Sequence, residues 1–124
     1  MSAWRGMAAG MVALMAVGSF TVGGAAQGKG DPKAGATLYK NNKCATCHGD
    51  TGAGDGPQGQ KLKDKPTSWL AGGGGLKGMD DQKIFDSVSK GGTAVGKSRA
   101  MPAAPKLSDA EVWDIVAYVK TLAK

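Results

Sequence analysis

The sequence predicts an all-α fold of three to four helices. Three segments begin with a helix-capping residue and continue with apolar side chains at helical spacing. No segment of the 124 residues has the alternating pattern of a half-buried strand. The stretches between the helical segments are rich in glycine, aspartate and proline, which is typical of turns. The length suggests one domain, and we expect it to occupy residues 31–124.

The first 26 residues are predicted to be a secretory signal peptide, followed by a loose tail over residues 27–30. Arg5 gives the segment a basic start, an apolar run follows, and no further charged residue occurs before Lys29. Gly24-Ala25-Ala26 supplies the small residues of a cleavage site. The alternative is an uncleaved membrane anchor, because an uncharged run of this length could span a bilayer. In either case we expect the domain to be exported.

The first helix is predicted to begin at Pro32 and end near Asn41. Asp31 supplies the N-cap, and a proline at the first helical position lacks only an N–H that has no partner within the helix. Leu38 and Tyr39 are its expected core contacts. A glycine inside a helix costs up to about 1 kcal/mol relative to alanine. A second helix that crosses closely at Gly35 would offset this cost.

Two further helices are predicted in the second half of the chain. One runs from about Asp81 to Lys90 after an aspartate cap, and a glycine pair ends it. Ser108 begins the other, and Glu111 three residues later completes a capping box. The expected inner faces of these two helices comprise Ile84, Phe85, Val88, Val112, Ile115, Val116 and Val119.

The chemistry of the sequence is concentrated in one short motif, Cys44-Ala45-Thr46-Cys47-His48, which contains both cysteines and the only histidine. Two thiols and an imidazole at this spacing are the attachment signature of a c-type haem. Residues three and four apart share a face of a helical turn, so Cys44 and Cys47 can reach the two vinyl groups on one haem edge. His48 then offers a ring nitrogen to the iron as its proximal ligand. We therefore expect one covalently bound haem c.

Three other interpretations of the motif are weaker. A thioredoxin-like redox pair would need a βαβ setting, which the sequence does not indicate. A structural zinc site would need four cysteine or histidine ligands, and the chain has three in total. A simple disulfide would leave the adjacent histidine without a purpose.

A methionine is the expected ligand on the other face of the iron. Only Met79 and Met101 remain once the signal peptide is removed. A thioether favours ferrous iron and raises the reduction potential. Met101 precedes Pro102, which favours an extended backbone, and its loop between two helices would let it reach across the haem. Met101 is therefore the predicted ligand, and the alternatives are Met79 or an iron that is open or bound by lysine.

Taken together, these features resemble the class I monohaem cytochromes c of bacteria over roughly residues 31–122. The resemblance rests on Gly35 and Tyr39, the haem motif with Gly49, Gly54-Asp55-Gly56-Pro57, Lys90-Gly91-Gly92, Met101-Pro102 and the aromatic last helix. It implies a small cytochrome c fold wrapped around one haem and a periplasmic location. The first and last helices would cross near Gly35, with Ile115 and Tyr118 as the contribution of the last helix.

The resemblance also implies roles for single residues near the haem. The Pro57 carbonyl would accept a hydrogen bond from the proximal histidine and so orient its ring, with Pro66 as the alternative. Trp69 would donate a hydrogen bond to a haem propionate, unless it only packs in the core. The run Gly72–Gly75 departs from the family pattern. It is either a flexible loop or a place where backbone approaches another group closely.

The predicted function is electron transport, and no enzyme activity is expected. An iron held by histidine and methionine is coordinatively full, so little has to move when an electron arrives. No group of residues suited to acid–base or nucleophilic catalysis is apparent. Asp80 and Asp81 are the only adjacent carboxylates, and helix capping explains them. The alternatives are a haem-bearing subunit of a larger oxidoreductase complex, and a haem sensor or peroxidase from which Met101 dissociates.

The charge of the chain indicates the kind of partner. The formal charge is +6 and becomes +5 when Arg5 is removed with the signal peptide. A basic surface suits acidic redox partner proteins or a transient contact with a membrane complex, although it also serves ordinary solubility. Lysines that could surround an exposed haem edge are Lys43, Lys61, Lys97 and Lys106. We expect a monomer and no nucleic-acid partner.

Overall fold

The computed structural model describes residues 30–70 and 74–123. The predicted signal peptide, most of the tail after it and the first half of the glycine run lie outside the described residues. Within the described ranges the chain is helical and contains no strand, which confirms the predicted fold class. No helix in these ranges is long and apolar enough to cross a membrane.

Four α-helices make up the described fold. They are α1 (Pro32–Asn41), α2 (Ala45–His48), α3 (Asp81–Lys90) and α4 (Asp109–Leu122). Two short 3₁₀ segments, Gly59–Lys61 and Gly92–Val95, lie in the connections. The sequence predicted the bounds of α1 and α3 and the start of α4, whereas it gave the connections only as irregular turns.

Side-chain caps explain why these helices begin where they do. The carboxylates of Asp31 and Asp80 each accept a hydrogen bond from a backbone N–H of the first helical turn, at 2.9 and 2.8 Å. At α4, the Ser108 hydroxyl accepts from the Glu111 N–H at 3.2 Å, and the Glu111 carboxylate accepts from the Ser108 N–H at 3.1 Å. The predicted capping box is therefore present, and each cap satisfies N–H groups that the helix leaves unpaired.

The hydrophobic core lies on the inner face of α4. Four residues of this helix are no more than 2% exposed, and one residue of α1 and three of α3 complete the core. The core residues are Tyr39, Ile84, Phe85, Val88, Val112, Ile115, Val116 and Val119. They include every residue that the sequence placed on the inner faces of α3 and α4.

Helices α1 and α4 cross at Gly35. A Cβ atom added at Gly35 would overlap the Asp114 carbonyl oxygen and lie 2.9 Å from Tyr118 Cβ. The two helices therefore cross closely at Gly35, as expected from the sequence, and Tyr118 takes part in the contact. The backbone of Asp114 makes the nearest contact at Gly35, and the Ile115 side chain, which is 1% exposed, lies in the core that also contains Tyr39 of α1. The Asp31 N–H also donates to the Asp114 carboxylate at 2.7 Å, which fixes the start of α1 on α4.

Candidate functional site

A mainly apolar cavity of about 570 Å³ is lined by all four α-helices and the loops between them. Its wall includes Tyr39 of α1, His48 of α2, Val88 of α3 and Val119 of α4. The loops contribute residues over 62–69, 74–79 and 97–107. Segments that are far apart in the sequence thus line the same cavity.

The motif of two cysteines and a histidine forms one wall of this cavity. The Cys44 N–H donates to the Tyr39 carbonyl at 3.0 Å, which joins the motif to the end of α1. The His48 N–H donates to the Cys44 carbonyl at 2.9 Å and closes the turn. Cys44, Cys47 and His48 all line the cavity, and no disulfide joins the two cysteines. The turn therefore presents two thiols and one imidazole to the same space.

Burial determines the protonation of the motif. It lowers the pKa of His48 to about 4, so the imidazole is neutral near pH 7 and keeps a lone pair for a metal. Its Nδ1 atom is buried without a hydrogen-bond partner among the residues that the structure describes. Burial, and to a lesser extent the nearby Cys47, raises the pKa of the Cys44 thiol to about 11.

Both methionines that could provide a second ligand line the same cavity. The Met101 carbonyl accepts a hydrogen bond from the Gly92 N–H at 3.0 Å. Three residues later, the Ala104 N–H donates to the Val88 carbonyl at the same distance, so the Met101 loop is tied to the end of α3. Met79 lies just before α3, and its N–H donates to the Leu76 carbonyl at 3.0 Å. Both methionines therefore line the cavity that contains His48.

The two prolines considered for the histidine hydrogen bond occupy different places. Pro57 lines a separate, shallow depression, because Gly56 and Gln58 on either side of it donate to the Cys47 and Thr46 carbonyls at 3.2 and 2.8 Å. Pro66 lines the cavity that contains His48. No hydrogen bond joins His48 Nδ1 to either proline within the described ranges. The role predicted for Pro57, with Pro66 as the alternative, therefore stays a prediction.

Trp69 contacts His48 directly. Its indole is stacked on the imidazole with a distance of 4.4 Å between ring centroids and an angle of 23° between ring planes. Sequence reasoning considered a propionate hydrogen bond or core packing for this residue and missed the stack. The separation of 21 positions between the two residues gives no local signal for such a contact.

Three lysines line the cavity with exposed side chains, namely Lys43, Lys65 and Lys97. Two of them were predicted to lie near the haem edge and Lys65 was not. Lys61 and Lys106, which were also predicted, are exposed but do not line the cavity.

The alternative interpretations of the motif find no support in the structure. No group of three or more histidine, cysteine, aspartate or glutamate side chains is placed to hold a metal ion in residues 30–70 and 74–123. The same ranges contain neither a strand for a thioredoxin-like unit nor a disulfide between the motif cysteines.

The residues of the cavity fit a haem c. The wall is mainly apolar, as a flat porphyrin requires, and the thiols of Cys44 and Cys47 stand beside the neutral imidazole of His48. The unpartnered, buried Nδ1 shows that the imidazole is not part of a hydrogen-bond network of the described protein groups. The family model described as cytochrome c matches residues 32–123. No curated protein matches the chain.

Proposed function

Since this chain belongs to the cytochrome c family, we propose that it is a periplasmic carrier of single electrons between redox partner proteins. The family supports a role in haem-based electron transfer, and the haem c is bound covalently. The observation that carries the proposal is that His48 and Met101 line one apolar cavity together with the two attachment thiols. The haem supplies the one-electron couple of its iron, and the protein controls the surroundings of that iron.

We propose that His48 and Met101 would hold the haem iron. His48 is suited to ligation because burial keeps its imidazole neutral. Met101 is favoured over Met79 because two hydrogen bonds hold its loop, one from the Gly92 N–H just after α3 to the Met101 carbonyl and one from the Ala104 N–H to the Val88 carbonyl of α3. A loop held in this way keeps the thioether in one place in both oxidation states. The neutral sulfur favours the ferrous state and gives the carrier a raised reduction potential.

The surrounding residues support transfer of electrons better than catalysis. Two side-chain ligands leave no iron position for a substrate, and the apolar wall limits the entry of water. Residues such as Ile115 and Val119, which are buried in the core and also line the cavity, hold that wall rigid. A rigid site with a mainly apolar wall reorganises little when the charge of the iron changes.

The exposed lysines of the wall support an acidic partner surface. Lys43, Lys65 and Lys97 place positive charge at the cavity, and such charge attracts a negatively charged surface and orients it during encounter. We propose that partners approach this side of the protein.

Replacing Met101 by alanine tests the ligand assignment. The weak red absorption band that arises from sulfur-to-ferric-iron charge transfer should disappear, and the reduction potential should fall, because the thioether is lost. Met79→Ala is the matched control, since Met79 lines the same cavity, and it should retain the band. If Met101→Ala keeps the band and Met79→Ala loses it, Met79 is the ligand.

Carbon monoxide separates the carrier from a sensor or peroxidase. The reduced wild-type protein should not bind the gas rapidly at neutral pH, because both axial positions are filled. Rapid binding would show that Met101 dissociates and would contradict the carrier.

A further inference from the structure

The rings of Trp69 and His48 have a mutual orientation that core packing alone does not require. The two rings lie nearly parallel, with 23° between their planes and 4.4 Å between their centroids. The buried Nδ1 of His48 has no hydrogen-bond partner in the described ranges. The indole face lies against the imidazole, so this contact limits the rotation of the imidazole whether or not Nδ1 also gains a hydrogen bond.

Trp69 is itself held on several sides. Its backbone N–H donates to the Gly52 carbonyl at 2.7 Å. A Cβ atom added at Gly52 would lie 2.7 Å from the indole Cε3, and one added at Gly75 would lie 2.9 Å from the indole Cδ1. The indole thus fills the space that the two glycines leave by having no side chain. The glycine run that the sequence could not interpret provides, at Gly75, one side of this enclosure.

Tyr39 completes the enclosure of the indole. Its ring meets the indole edge-on, with 6.2 Å between centroids and 64° between planes. The Tyr39 hydroxyl donates to the Gly49 carbonyl at 2.7 Å, directly after His48 in the chain. The tryptophan is therefore fixed by α1, by the turn after the motif and by its own loop. A ring held in this way can in turn fix the ring on which it stacks.

We propose that Trp69 is a positioning residue for His48. By stacking on the imidazole, it sets the rotation of this ring about the bond to its Cβ atom, and thus the orientation of the ring plane that the iron meets. Partners of a ligand histidine commonly act by fixing its orientation, and here an aromatic face does so. The proposal rests on ligation by His48, but not on the identity of the second ligand or of the redox partners.

Two substitutions at Trp69 in the haem-loaded protein test the proposal. The ¹H NMR spectrum of the oxidised protein gives the shifts of the haem methyl groups, whose pattern depends on the plane of the axial imidazole. Trp69→Phe keeps a flat ring on His48 and should keep the wild-type pattern. Trp69→Leu removes the ring and should change both the order and the spread of the methyl shifts.

Trp113→Leu is the matched control for lost packing. Trp113 is a half-buried residue of α4 that lies against Phe85, with 4.5 Å between ring centroids, and it does not line the cavity. Its loss should lower stability and leave the methyl pattern unchanged. If Trp69→Leu does not yield haem-loaded protein, Trp69→Met takes its place, since it also has no ring.

Two results would overturn the proposal. An unchanged methyl pattern without the ring would show that Trp69 does not position His48. If Trp69→Phe changes the methyl pattern as much as Trp69→Leu does, a flat ring on His48 is not enough to keep the pattern. The indole N–H would then determine the pattern, through the hydrogen bond to a haem propionate that was predicted for it. Failure of the proposed electron-carrier function would appear separately, as a wild-type protein without a reversible one-electron couple.

Discussion

Replacing Gly35 by alanine adds one methyl group where α1 crosses α4. The new carbon would overlap the Asp114 carbonyl oxygen and lie 2.6 Å from its carbonyl carbon and 2.9 Å from Tyr118 Cβ. Carbon atoms in favourable contact are about 3.5–4.0 Å apart, so the helices must separate by roughly 1 Å to accept it. Tyr39 lies on the same helix and is only 3% exposed, and it would be drawn away from the core by this movement.

The size of the effect follows from two opposing contributions. Overpacking a core contact costs about 1–3 kcal/mol, and here the obstacle is helix backbone, which cannot rotate away as a side chain does. Alanine favours the helix over glycine by about 1 kcal/mol. With the overpacking cost at its upper end, about 3 kcal/mol, and the gain from alanine subtracted, we expect a net loss of about 2 kcal/mol in the free energy of unfolding. For a domain of this size, that loss corresponds to a fall of about 10 °C in Tm.

Thermal unfolding of the haem-loaded protein, followed by far-UV circular dichroism, measures this change. Thr37→Ala is the control, because Thr37 is an exposed residue of the same helix and its replacement should alter stability by no more than about 0.5 kcal/mol. If Gly35→Ala melts at or above the wild-type temperature, α1 and α4 do not cross in contact at this residue.

Two further predictions concern the basic residues around the motif. Lys43 has φ 61°, a left-handed conformation that costs a non-glycine residue about 1–2 kcal/mol. Lys43→Gly should therefore raise the free energy of unfolding in urea by about 0.5 kcal/mol after the greater flexibility of unfolded glycine is counted, and a loss of stability would contradict this reasoning. Lys97→Glu should slow oxidation of the reduced protein by the ferricyanide anion several-fold at low ionic strength, and added salt should reduce the difference. Lys33→Glu, on α1 and away from the cavity wall, is the control of equal charge, and equal slowing in both variants would argue against the proposed docking side.

The helices could be predicted because their signals are local. Asp31 with Pro32, Asp80, and Ser108 with Glu111 each combine a capping side chain with the first turn that it satisfies. A cap depends on residues within one turn, so the sequence alone contains the information. The haem motif is local in the same sense, because one helical turn brings Cys44, Cys47 and His48 to a common face.

The connections could not be predicted in the same way, because their conformations depend on distant partners. The family resemblance favours Pro57 over Pro66 as the partner of the histidine, but the sequence could not place either proline. In the structure, the residues on both sides of Pro57 are hydrogen-bonded to α2, and Pro66 lies in the cavity wall. The Gly75 backbone is close to the indole of Trp69 because two loops meet there. The stack of Trp69 on His48 likewise depends on the return of the loop to α2.

The cavity wall draws on residues from Tyr39 to Val119, so the haem is the part of the interior that these distant segments have in common. A cofactor bound reversibly is diluted into the solvent when its protein unfolds, and its stabilising effect then depends on its concentration. Here the thioether links to Cys44 and Cys47 keep the cofactor on the unfolded chain. The denatured protein therefore retains the largest component of its own interior, and refolding remains a unimolecular process at any dilution.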